Sequence, residues 1–335
     1  MVRLGLPKTP PCKAALTTSF VNPGIGGELG QRPLSRFIRR DVSRTALEHI
    51  MSVISIQSQV VYGHVGNSAA VFPMQMHGIE VMAVPTTLFS NRPRYPTVRG
   101  QVLDAGLVAD LLVGLEERGA VDTCQVILTG YLGSPQIGEV VADFVARAMK
   151  QNPKLIYCCD PVIGDAERGV FVASGLPELF RDRLCPISNI LTPNHFELEW
   201  LVGRKLETTD SVIAAGRTLA HPPSSTVVVT GASLVDGQKG RIVTFAIEEK
   251  SVWSIATPKL HGSTSGAGDL LAALFVASLV GGSTTAVALA DAVSSTFAVL
   301  EETVSAGAEE MRIVTSASGL LHPPVAMFRS QRLDK

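Results

Sequence analysis

From Met51 onward, short runs of β-branched and apolar residues alternate with longer stretches whose apolar positions recur every three or four residues. The short runs predict strands near 52–57, 79–85, 124–129, 154–159, 188–192, 225–230, 241–247 and 251–256. The longer stretches predict helices near 66–77, 104–118, 135–150, 194–203 and 209–220, lying between many of those strands. Beyond 251–256 the pattern turns helical, near 267–280, 283–301 and 305–318. This alternation argues for βα units with right-handed crossovers, and so for an α/β fold with a mostly parallel sheet. Residues 1–50 do not share it: they carry eight Lys/Arg against three Asp/Glu and little sustained periodicity. That stretch reads as a disordered leader or a start upstream of the true one at Met51, with an organellar targeting segment as the alternative. The end, 321–335, reads as a mobile tail.

Composition narrows the classes. With 46% hydrophobic and 18% charged residues over 335 positions, the chain is long enough to bury a large core. A net charge of −1 leaves no electrostatic footprint for nucleic acid or an anionic membrane. Apolar runs reach about a dozen residues, short of the roughly 18 to 20 that span a bilayer. Five cysteines, Cys12, Cys124, Cys158, Cys159 and Cys185, form no C-x-x-C pair and no zinc spacing. The expectation is a soluble, cytoplasmic protein whose Cys158 and Cys159 are small buried hydrophobes.

Candidate chemistry lies where the strands end. In open α/β sheets ligands sit beyond the carboxyl ends of strands, and five polar clusters fall there: Ser58 to Asn67, Thr86 to Asn91, Gly130 to Gly133, Asp160 to Gly164 and Thr192 to Glu197. The most telling segment is His261-Gly-Ser-Thr-Ser-Gly-Ala-Gly-Asp269, which runs into the apolar stretch Leu270 to Val280. Small residues at a helix start leave backbone N–H groups free to hold an anion, so Gly266, Ala267 and Gly268 form a candidate γ-phosphate cradle. Asp269 falls in the first helical turn, where a carboxylate also serves as an ordinary cap. No Walker G-x-x-x-x-G-K-[ST] pattern occurs and the nearest lysine is Lys259, so positive charge must come from amides and a metal. Magnesium needs only one or two protein carboxylates, and Asp160 and Glu197 suit that role. His64 and His195 lie beside these loops without metal-ligand spacing, which favours structural or substrate-contacting roles. No G-x-S-x-G elbow points to acyl transfer.

Taken together, Gln57-Ser-Gln-Val-Val-Tyr-Gly-His-Val-Gly-Asn-Ser68, Phe89-Ser-Asn91, Thr129-Gly-Tyr-Leu-Gly133, Asp160-Pro-Val-Ile-Gly164, Thr192-Pro-Asn194 with Glu197, and Gly266-Ala-Gly-Asp269 resemble the pyridoxal kinase family of ribokinase-like kinases, over residues 52–305. The resemblance implies a ribokinase-like three-layer α/β/α domain at 51–320 and ATP-dependent phosphorylation of the 5′-hydroxymethyl group of pyridoxal, with pyridoxine and pyridoxamine. It implies Asp269 as base, Gly266 to Gly268 as anion hole, and Mg²⁺ near Asp160 and Glu197. Asp160, Thr192, Thr230, Thr257, Pro258, Lys259 and Leu260 would contact ATP, and Ser58, Thr86 and Tyr131 the pyridine ring. A homodimer and a monovalent cation such as K⁺ belong to the same expectation. Two departures stand out: Ala267 replaces the usual Thr or Val, and Arg92-Pro-Arg-Tyr95 follows Asn91 where the family commonly has a histidine. Arg94 could still reach the ring or a phosphate, with solvent-exposed flap arginines as the alternative. The rivals are a hydroxymethylpyrimidine kinase, a sugar kinase of the wider superfamily and a non-catalytic vitamin B6-binding protein.

Overall fold

The computed structural model describes residues 51–220, 226–260, 265–321 and 327–333. The expected leader 1–50, with Cys12, and His261 lie outside them. Val53, Ile54, Ile56 and Val60 favour extended backbone, and they build β1 (Ser52–Tyr62), which α1 (Asn67–Met76) connects to the parallel β2 (Glu80–Asn91). A short β3 (Gly100–Val102) folds back on β2. Then come α2 (Ala105–Glu117), α3 (Ala120–Thr123), β4 (Val126–Thr129), α4 (Pro135–Gln151) and β5 (Ile156–Cys159). A small hairpin of β6 (Gly164–Asp165) and β7 (Gly169–Val170) and the short α5 (Leu176–Leu179) lead to β8 (Ile190–Leu191), α6 (His195–Val202) and α7 (Thr209–Leu219). The second half holds β9 (Thr226–Ala232), β10 (Arg241–Ile247), β11 (Val252–Pro258), α8 (Ala267–Val280), α9 (Thr285–Ser305), α10 (Ala317–Leu321) and β12 (Gln331–Arg332).

One sheet runs in the order β12-β11-β10-β9-β8-β5-β4-β1-β2-β3. The six strands from β9 to β2 are parallel, while β10 is antiparallel to both β9 and β11. Two reversals therefore return β11 to the direction of the parallel set, and its carboxyl end reaches the same edge. Strand side chains alternate between two cores, as the period of two requires. Val53, Leu128, Cys158 and Ile255 pack on the side of α1, α8 and α9, and Ile54, Ile127, Cys159 and Phe245 on the side of α2, α4, α6 and α7. The result is the three-layer α/β/α arrangement. Cys124, Cys158, Cys159 and Cys185 are all free and buried.

Most element boundaries differ from the sequence pattern by two residues or fewer, and the exceptions bear on the site. β1 and β2 extend well past their expected ends, so Ser58 and Thr86 lie inside strands rather than after them. The reason is mutual pairing: β1 leaves β4 at Ile56 but stays with β2 out to Tyr62 opposite Asn91, with a register shift between Gln57 and Gln59. The helix expected at 305–318 does not form. Instead α9 runs four residues past its expected end to Ser305, and Gly307, with φ 60°, takes the left-handed conformation that ends a helix. Only Ala317–Leu321 is helical beyond it, which frees 306–316 to turn back toward the strand ends. In the expected tail, Gln331–Arg332 pairs with β11.

Phe144 on α4 is fully buried. Phe144→Ala should lower unfolding free energy by about 3–5 kcal/mol, read as a lower urea midpoint at unchanged slope.

Candidate active site

The anion loop ends where a side chain would not fit. Gly266 has φ 90°, and a Cβ there would strike the His64 carbonyl and lie 2.7 Å from the Met311 methyl. Glycine is thus needed for conformation and for space, because the loop packs directly on the Gly63–Gly66 turn. Gly66 is as constrained, with φ 54° and a Cβ position blocked by Ser58. The turn is tied to β1 by two motif residues. Asn67 accepts from Ser55 Oγ at 2.7 Å and donates to the Gln57 and Val84 carbonyls at 3.2 Å. Ser68 Oγ donates to the Val60 carbonyl at 2.8 Å and accepts from Val60 N–H at 3.2 Å.

Asp269 opens α8 one residue after Gly268. Burial pushes its carboxyl up to about 6, and a hydrogen bond from the Gly66 N–H pulls the other way. A carboxylate poised near neutrality is what proton acceptance from an alcohol requires. The first-turn amides of Ala267 and Gly268 stand at the positive end of a 14-residue helix.

Opposite lie the other two carboxylates. Asp160, directly after β5, is buried, and Thr192 Oγ1 donates to its Oδ1 at 2.8 Å. Burial, then the charges of Glu197 and Asp269, raise its proton affinity well above the carboxylate range. Glu197 forms a capping box with Asn194 at the start of α6. Its Oε1 accepts from Ile163 N–H at 2.9 Å and Gly164 N–H at 3.3 Å, and its Oε2 from Asn194 N–H at 2.8 Å. Burial still raises it to about 8, with Asp269 adding to the shift.

The remaining expected residues divide between two ends. Thr86 Oγ1 donates to the Tyr131 carbonyl at 2.7 Å, joining β2 to the loop after β4 beside Ser58 on β1. Thr230 N–H donates to the Pro193 carbonyl at 3.0 Å, placing it next to Thr192 and Asn194. Thr257 is buried in β11, and Pro258 and Lys259 are exposed at its carboxyl end. Arg94 lies 3.5 Å from Glu167 in the β6–β7 turn. His195 Nε2 bonds the Leu206 carbonyl at 2.7 Å, a structural role, whereas the half-buried His64 has Nδ1 without a partner.

The comparisons fit this geometry. A family model described as phosphomethylpyrimidine kinase matches residues 74–313. The pyridoxal kinase PdxY of Rubrobacter xylanophilus is 44% identical over 276 residues, covering 82% of this chain and 95% of the relative. The chain belongs to the pyridoxal kinase family. The PdxY of Leifsonia xyli is 41% identical over 273 residues, covering 82% of the chain and 96% of the relative. Among solved structures, pyridoxal kinase from Leishmania donovani in complex with ADP and ginkgotoxin superposes with a TM-score of 0.77 at 27% identity, covering 84% of this chain and 99% of that one. The ribokinase-like α/β fold is thus shared across the family.

Sequence reasoning passed over Arg92, Ser265 and Glu310. Arg92 Nε donates to Glu310 Oε1 at 2.7 Å, and Nη1 donates to Ser265 Oγ at 2.9 Å. Arg92 stands at the departure after Asn91 and Glu310 falls within the helix expected at 305–318, so no local pattern links the two.

Because the folded state binds the Glu197 proton more tightly than the unfolded chain, that contribution is complete below the ordinary carboxylate value near 4.5 and lost as pH rises through about 8. In metal-free protein the melting temperature of Glu197→Gln relative to the parent should therefore rise across that interval. A constant difference would contradict it.

Proposed function

We propose that this protein transfers the γ-phosphoryl group of ATP to the 5′-hydroxymethyl group of pyridoxal, and also of pyridoxine and pyridoxamine. The observation that carries this reading is Asp269, buried in the first turn of α8 beside the Gly66 N–H and close enough to Asp160 and Glu197 for its charge to act on both. The relatives' names, and a Leishmania donovani structure with ADP and pyridoxamine, support the substrate class.

In this reading the ring lies among Ser58, Thr86, Tyr131 and Arg94, and the nucleotide runs along Asp160, Thr192, Thr230 and Thr257 to Leu260. Asp269 takes the proton from the hydroxyl as its oxygen attacks the γ-phosphorus and the bond from that phosphorus to the β,γ-bridging oxygen breaks, releasing ADP, while the amides of Gly266 to Gly268 hold the transferring oxygens. Asp160 keeps lone pairs free of the Thr192 bond, while Glu197 is engaged by three N–H groups, so Asp160 would hold Mg²⁺ directly and Glu197 its waters. Bound there, Mg²⁺ supplies charge neutralisation to the phosphates. The reading extends to a monovalent cation such as K⁺, tested by varying KCl in the assay.

The exposed apolar side chains Val61, Leu88 and Val102 on β1–β3, with Leu107 and Leu111 on α2, support a homodimer. Among the described residues no helix is long and apolar enough to cross a membrane. The four free cysteines support a cytoplasmic location. We assign the catalytic domain to 51–320, with β12 (Gln331–Arg332) of the following segment added to the edge of its sheet.

A coupled assay across pyridoxal, pyridoxine, pyridoxamine and hydroxymethylpyrimidine tests the substrate. Turnover of the pyrimidine alone would transfer the assignment to the rival kinase, and vitamer binding without ATP consumption would make this a binding protein. Asp269→Asn should lower kcat by about 10²- to 10⁴-fold while nucleotide affinity is retained; near-parent kcat would remove Asp269 as the base. Since only the ionised carboxylate accepts a proton, kcat/KM should fall with pH below about 6 in the parent enzyme.

A further inference from the structure

Arg92, the first residue past β2, carries a nearly buried guanidinium with three acceptors. Nε donates to Glu310 Oε1 at 2.7 Å, Nη1 to Ser265 Oγ at 2.9 Å and Nη2 to the Glu309 carbonyl at 2.9 Å. Glu310 is as fully engaged, because Oε1 also accepts the Tyr95 hydroxyl at 2.9 Å and Oε2 the His64 N–H at 3.1 Å. Their side chains are 9% and 12% exposed. The Arg92 guanidinium also lies 5.2 Å from the centre of the Tyr95 ring. Four segments distant in sequence meet at this one ion pair: the end of β2, the Gly63–Gly66 turn, the anion loop and the loop after α9.

The location gives the pair its significance. Ser265 immediately precedes Gly266 of the anion loop. On the other side, His64 is two residues from Gly66, whose N–H lies beside Asp269. A shift of the pair would move both the amides of the anion loop and the turn that packs against the base.

We propose that Arg92 and Glu310 are positioning residues for phosphoryl transfer, setting the register between the anion loop and the Gly63–Gly66 turn. This rests on the assignment above of Gly266 to Gly268 and Asp269 to the transfer. A planar guanidinium serves three acceptors in fixed directions, which an ammonium does not, so lysine cannot replace Arg92 here. A nearly buried ion pair often contributes little net stability against its desolvation cost. Its effect should therefore appear in geometry and rate more than in melting temperature.

The test uses the full chain with Arg92→Lys, Glu310→Gln and the double variant. Each single variant should lose about tenfold or more in kcat with KM for MgATP and for the alcohol changed by less than about threefold, since misplacement acts on the oriented state. The double variant should lose no more than about the worse single one, because the two side chains act as a unit. In ligand-free protein, amide hydrogen exchange across 265–270 should quicken by about tenfold while the buried part of α9 is unchanged. Any of three results overturns the proposal: kcat and loop exchange within about threefold of the parent, a loss confined to KM for the alcohol, or exchange that rises equally throughout. Exchange needs no substrate, so it decides the positioning role even if the parent phosphorylates none of the alcohols, an outcome that would count against the function alone.

Discussion

Asp160, Glu197 and Asp269 reach one crevice from three distant parts of the chain, and their mutual repulsion shapes what surrounds them. Glu197 and Asp269 raise the proton affinity of Asp160, and Asp269 raises that of Glu197. Buried like charges are costly unless donors or cations answer them. The fold answers with hydrogen-bond donors: the Ile163, Gly164 and Asn194 N–H groups to Glu197 and the Thr192 hydroxyl to Asp160, with the Gly66 N–H beside Asp269. What remains unanswered is negative charge at the carboxyl edge of a parallel sheet. A metal-bound polyphosphate, drawn by the amides at the start of α8, suits that edge.

Sheet direction makes the convergence possible. Six parallel strands deliver their carboxyl ends together, and the reversals at β10 and β11 bring the chain back to the same edge just before the anion loop. The long pairing of β1 with β2 then continues past the sheet proper and supplies a wall on which the Gly63–Gly66 turn is anchored through Asn67 and Ser68. That is the physical content of the motif between Gln57 and Ser68. Gly63 and Gly66 leave room for the Glu310 carboxylate and for Ser58, where a Cβ would collide, and the polar residues hold the turn to the strand.

The proposed reaction divides the crevice into two regions. In it the anion loop, Asp160 and Glu197 would act on phosphate and metal, whereas the end of β2 and the loop after β4 would surround the acceptor. Arg92 and Arg94 lie in this second region, yet they differ in environment. Arg92 turns inward to Glu310 and Ser265, and Arg94 is directed to Glu167 across the β6–β7 turn. The departure after Asn91 therefore puts one arginine in a nearly buried ion pair and the other beside Glu167.

The periodicities sufficed for the α/β class, the number of central strands and the positions of the carboxylates, because strand and helix periods are local properties of side chains facing a core. The anion loop was legible for the same reason: glycines before an apolar helix are a backbone requirement. Tertiary structure alone decided where β1 and β2 stop, because that depends on pairing beyond β4. It also decided that Gly307 ends α9, turning Glu309 and Glu310 back toward Arg92, and that Gly266 packs against the His64 carbonyl. Each of these is a contact between segments far apart in the chain, whose energy no local pattern records.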